Sequence, residues 1–166
     1  MAADVSEGAA TTARDVVEAF IAQGATAATA ESLTAGLVAA SLADVPGASA
    51  MLRGGVVSYS SEVKADVLGV SRALLSAVGS VDAEVARQMA DGARRVCRAD
   101  YGVSTTGAAG PEPHDGKPVG TVFVAVSGPA GTTVRPYLFS GDRPAVRAAA
   151  AQAALDGLLA ALRGGS

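Results

Sequence analysis

The chain has 166 residues, long enough for one domain with a sizeable core, and 49% of them are hydrophobic, mostly Ala and Val, with no Trp and three Phe. Thirteen Lys and Arg against 16 Asp and Glu leave a net charge of −3, which argues against a nucleic-acid partner, for which a basic stripe is expected. One cysteine, Cys97, excludes an internal disulfide and a cysteine-cluster metal site, and no apolar run reads as a membrane span or a secretory leader, so a cytoplasmic protein is expected.

Taken in chain order, residues 1–12 are small and polar and are expected as a disordered tail, with a single domain over 13–166. Val16, Val17, Phe20 and Ile21 share a helical face that Gly24 stops. "ATAATAES" (25–32) reads as a buried strand, followed by a helix over "LTAGLVAASLADV" and a turn at Pro46-Gly47. "GGVVSYS" is a strand by its β-branched content, and "SEVKADVLG" a short helix with Ser61 as a candidate cap. Asp82 caps a long helix with Val85, Met89, Ala93 and Val96 on one face and Cys97 midway along it, where a buried structural thiol is expected. "DYGVSTTG" is a strand that runs into the loop "AAGPEPHDGKP". "VGTVFVAVSG" and "TTVRPYLFSG" form a hairpin, and a helix capped by Asp142 closes the chain. This order predicts a three-layer α/β/α sandwich with a mixed sheet, parallel early and antiparallel late.

Sites in such sheets gather at the carboxyl ends of strands. Three stretches end that way: "AESLTAG", "SYSSEVK" and "STTGAAGP". No complete phosphate-loop or dinucleotide fingerprint is present. The single histidine, His114, lies in a Pro/Gly/Asp loop, which disfavours a Ser-His-Asp triad, and leaves a serine with a lysine as base. A lysine acts as a base only when desolvated or set beside another cation, and Lys64, one of two lysines, is better placed than Lys117. Helix capping, a solvated surface lysine and a strand tyrosine account for the same residues without any chemistry. Spacing alone therefore stops at an α/β domain that binds a small anionic ligand.

"TAESLTAG", "PGASAMLRGGVVSYSSEVKADVLGV", "TTGAAGP", "KPVGTVFVAV" and "FSGDRPAVR" stand in an order that resembles the CinA C-terminal domain family, the nicotinamide mononucleotide (NMN) amidohydrolases, over residues 12–163. The resemblance implies the three-layer fold, a stand-alone form, and hydrolysis of the NMN carboxamide to nicotinate mononucleotide and ammonia. It implies no metal and no cofactor, and a homo-oligomer, most simply a dimer; the charge and composition add the expectation of no nucleic-acid or membrane partner. By position it makes Ser49 the nucleophile, with Tyr59 and Lys64 as relay and base, and Arg143 as the phosphate partner. Ser32, Thr34, Thr106, Gly107 and Gly110 would line the pocket. Departures from the family pattern at Leu33, Ala35, Ala48 and Glu112–His114 leave two alternatives, a non-catalytic nucleotide-binding module and an amidohydrolase for another small amide.

Overall fold

The computed structural model describes residues 10–164, so the expected tail at 1–9 lies outside the described residues. Thr12 belongs to the folded part: its hydroxyl accepts from Asp15 N, and Asp15 returns the bond, a capping box for helix α1 (Ala13–Gln23). Gly24, in the left-handed region at φ 64°, closes α1 and lets the chain turn into strand β1 (Ala27–Glu31).

The remaining elements are α2 (Leu37–Ala43), β2 (Leu52–Val57), α3 (Ser61–Asp66), α4 (Arg72–Val78), α5 (Ala83–Cys97), β3 (Tyr101–Gly107), β4 (Thr121–Gly128), β5 (Gly131–Leu138) and α6 (Arg143–Gly164). A 3-10 turn, Ala48–Ala50, precedes β2. The five-stranded sheet has the order β2-β1-β3-β4-β5; β1 is parallel to β2 and β3, whereas β3/β4 and β4/β5 are antiparallel. The expected three-layer α/β/α sandwich with a mixed sheet is therefore what forms.

Helices α1, α2 and α6 cover one face, where Phe20, Leu42, Leu158 and Leu162 pack on Val103, Val122 and Val124. Helix α5 covers the other, its Val85, Met89 and Ala93 packing with Leu68 and Val70 on Ala28 and Ala30 of β1. Alanine on both faces of β1 brings the layers close, the physical meaning of a core with few aromatics. Helix α6 is long and apolar enough, by length and composition, to cross a membrane, contrary to the expectation that no run would be; its Val146 and its leucines are buried in the core.

Four local expectations change. Helix α4, capped by Ser71, is an unexpected element; none of its residues is fully buried, and Leu74 and Leu75 pack against the edge of the core. The cap of α3 is Ser60, which accepts from Val63 N at 3.2 Å, rather than Ser61. Val96 is exposed. Cys97 ends α5, only half-buried, instead of lying midway along it.

Candidate functional site

The parallel strands β1, β2 and β3 end at one edge, and backbone bonds fix the residues just beyond. Ser32 N donates to Thr105 O at 3.0 Å, and Ser58 N donates to Glu31 O at 2.9 Å. The turn after Ser32 is held by Glu31. Helix α2 starts at Gly36, which has no capping side chain, so its first amides need another acceptor. The buried Glu31 carboxylate supplies it, accepting from Val38 N (2.8 Å), Ala39 N (3.1 Å) and the Thr34 hydroxyl (2.7 Å). Arg147 of α6 completes the clamp by donating to Leu33 O (2.8 Å) and Thr34 O (3.3 Å).

Lys64 enters this edge from α3. Its side chain is fully buried, and Nζ donates to Ser58 O at 2.7 Å, to Ser32 Oγ at 2.9 Å and more weakly to Tyr59 O at 3.4 Å. Among the described residues no carboxylate forms an ion pair with it. Burial therefore pushes its pKa down to about 8, against a smaller opposing pull from the Asp115 charge. A lysine on a six-residue helix reads as solvated from sequence; the fold turns it inward because the strand-end carbonyl and the Ser32 hydroxyl satisfy its N–H groups.

A cavity of about 130 Å³ opens beside this pair, and Ser32, Tyr59, Gly107, Gly110 and Arg143 contribute to its walls. Arg143, in the first turn of α6, donates Nη1 to Gly110 O (2.8 Å) and Nη2 to the Tyr59 hydroxyl (2.7 Å). Ser80, Glu112 and His114 also line it, none of them among the expected site residues. The segment after β3 is anchored where Asp115 accepts from Ser80 N (2.8 Å) and Ser80 Oγ (3.0 Å). These bonds hold the Asp115 carboxyl below the usual range.

Ser32, Lys64, Tyr59, Gly107, Gly110 and Arg143 are thus brought together; three expected residues are not. Ser49 is an exposed residue of the 3-10 turn before β2, at the amino end of a strand whose carboxyl end carries Tyr59. Six residues at ~3.3 Å each put roughly 20 Å of strand between Ser49 and the Lys64 end of the sheet. The serine beside Lys64 is Ser32. Thr34 is buried against Glu31 and Thr105, and the Thr106 hydroxyl is turned to Ser80 O at 2.7 Å, so neither lines the cavity. Tyr59 does line it, and its hydroxyl meets Arg143 and neither Lys64 nor Ser32.

Glu31, Ser80, Asp115 and Arg147 were missed. Glu31 sits in the quoted "AESLTAG", where a buried acid just before a glycine-started helix was the available signal; the other three act over sequence separations that no local pattern reveals. Ala35, one of the departures from the family pattern, has a backbone of φ 48°, in the left-handed region, where a Cβ is strained. Among the described residues, no three His, Cys, Asp or Glu side chains are grouped to hold a metal. A larger groove of about 690 Å³ lies between β5 and α6, away from Lys64 and lined largely by small and apolar residues.

The chain is similar to several proteins of bacterial origin. It is 50% identical over 141 residues to a CinA-like protein of Frankia casuarinae, covering 85% of this chain and 33% of that protein. A CinA-like protein of Geobacter sulfurreducens is 46% identical over 155 residues, covering 93% of this chain and 38% of the relative. The chain thus spans about a third of the length of the curated relatives it matches. Among solved structures, the competence/damage inducible protein CihA of Agrobacterium tumefaciens superposes with a TM-score of 0.86 at 36% identity, covering 91% of this chain and 93% of that one. A CinA superfamily protein of Enterobacter cloacae gives 0.88 at 29% identity, covering 98% and 99%. The CinA C-terminal domain model matches residues 9–162, and with relatives at this level of identity the chain belongs to the CinA C-terminal domain family.

Proposed function

We propose that this domain is a cytoplasmic amidohydrolase that cleaves the carboxamide of NMN, with Ser32 as nucleophile and Lys64 as general base. One observation carries the reading: a buried lysine that has no carboxylate partner among the described residues, lowered to about 8, lies 2.9 Å from a serine hydroxyl at the rim of a cavity. At neutral pH about a tenth of such a lysine is unprotonated. Neutral Lys64 takes the hydroxyl proton as Ser32 Oγ bonds to the carboxamide carbon. The tetrahedral centre then collapses, the C–N bond breaks, and the nitrogen leaves as ammonia with the proton Lys64 had taken. Water, deprotonated by the same Lys64, hydrolyses the acyl-serine to the free acid and regenerates the hydroxyl. Peptide N–H groups of the turn after Ser32 are the donors for the oxyanion. The cavity is below the ~300 Å³ typical of a whole-ligand cleft, so it suits the amide-bearing ring, with the phosphate at the rim where Arg143 forms part of the wall.

The test is ammonia release from NMN by the wild type, Ser32→Ala and Ser49→Ala proteins. The expected outcome is turnover in the wild type and Ser49→Ala, and a loss of at least about a hundredfold in Ser32→Ala. Turnover that survives in Ser32→Ala and vanishes in Ser49→Ala would reverse the assignment. Thermal stabilisation by NMN without ammonia would favour the nucleotide-binding module.

A further inference from the structure

Two opposite charges face the cavity without a charged protein partner. Arg143 donates to a carbonyl and a phenol, both neutral, and forms no ion pair among the described residues. Glu112 lines the same cavity and, among the described residues, makes neither a hydrogen bond nor an ion pair. The chain on either side of it is anchored, with Gly110 O accepting from Arg143 on one side. Three residues on, Asp115 is gripped by Ser80 N and Oγ, and Ser80 O in turn accepts from Thr106 Oγ1 of β3 at 2.7 Å. Gly79 makes that grip possible: it has φ +78°, and a Cβ there would lie 2.5 Å from Asp115 Cγ. The segment bearing Glu112 is thus tied to the α4–α5 junction and the sheet, not left as a free loop.

A cavity with a carboxylate at one part of its wall and a guanidinium at another, each lacking a counter-charge, is complementary to a dipolar ligand. We infer that Glu112 is a specificity-determining residue, selecting a substrate whose amide-bearing ring is permanently cationic while Arg143 receives its anionic end. The inference rests on the amidohydrolase reading for its choice of probe. A quaternary pyridinium such as that of NMN has this charge pattern, and its reduced dihydropyridine counterpart has the same phosphate and amide on a neutral ring. Glu112 and Arg143 are both exposed at the rim of the cavity, so solvent partly screens their charges and the discrimination between the two ligands is modest. The uncommitted side chain of Glu112 makes its replacement harmless to folding, and its charge, not its shape, is what the site uses.

Binding is measured by calorimetry in the Ser32→Ala background, where ligand is not consumed, with NMN and reduced NMN against Glu112 and Glu112→Gln. Loss of the carboxylate is expected to weaken NMN about tenfold and to leave reduced NMN within about twofold. Glu112→Asp, which keeps the charge, is expected to recover most of the loss. Equal weakening of both ligands, no change in either, or no binding of NMN at all overturns the inference. Charge-selective binding without ammonia release by the wild type overturns the hydrolytic reading alone and leaves Glu112's role standing.

Discussion

At the residue scale the chemistry depends on one buried cation. Lys64 has a folded pKa of about 8 against an ordinary 10.5, so between those values the folded chain binds fewer protons than the unfolded one. Its contribution to stability therefore rises with pH across that window, and its cost is fully present below about 8. Activity should follow the same group. We expect kcat/KM for NMN to rise with pH through about 8 and then level off, as measured by ammonia release in buffers of constant ionic strength. Lys64→Met is expected to lose activity by about 10²–10⁴-fold while remaining folded, since it removes a charge that burial disfavours. A flat pH profile in the wild type would sink the base assignment. Ala35 offers a separate check, because a Cβ at φ 48° is strained. Ala35→Gly is expected to raise stability by about 0.5–1 kcal/mol in urea unfolding, the relief exceeding the added chain entropy.

At the scale of elements, the site depends on how closely α5 approaches the segment that carries Lys64. Gly92 of α5 lies against the chain just after α3: a Cβ there would come within 2.2 Å of Leu68 O and 2.9 Å of Leu68 Cα. Those atoms are backbone and cannot rotate away. Gly92→Ala gains helix propensity, about 1 kcal/mol, yet the overlap is expected to produce a net loss of about 1–3 kcal/mol. Because Leu68 is four residues beyond Lys64, the same substitution should lower turnover of the protein that remains folded. A Gly92→Ala protein as stable and active as the wild type would mean that α3 and α5 have more slack than this packing allows. The glycine is invisible as a contact point in sequence, where it reads only as a weak spot in an amphipathic helix.

At the scale of the whole molecule, α6 joins the carboxyl-terminal third of the chain to the strand-end turn of the first third. Arg147 bridges 114 residues to Leu33 O and 113 to Thr34 O, while Arg143, one turn earlier, reaches Gly110 and Tyr59. Charged donors to carbonyls are each worth about 1.5–3 kcal/mol. Arg147→Met keeps the aliphatic stem but removes both bonds, so a stability loss of about 1–3 kcal/mol is expected, with turnover reduced as Ser32 loses its fixed position. A variant that loses stability but keeps full turnover at low temperature would show that the clamp serves the fold alone.

The sequence by itself determined the layer order and the mixed sheet, because alternation, helical periodicity, Asp82 and Asp142 caps and the Gly24 stop are all local signals that the tertiary structure did not override. It also singled out the Ser32, Tyr59 and Lys64 stretches, since strand ends rich in hydroxyls are legible without any fold. Only the tertiary structure decided which serine meets Lys64. Ser49 is closer in sequence, yet β2 carries it to the far edge, whereas the parallel pairing of β1 with β2 sets Ser32 beside the start of α3. Burial of Lys64, and with it the lowered pKa, likewise arises from groups brought in across the sheet. A pKa is a property of surroundings, and those surroundings exist only once distant segments have packed.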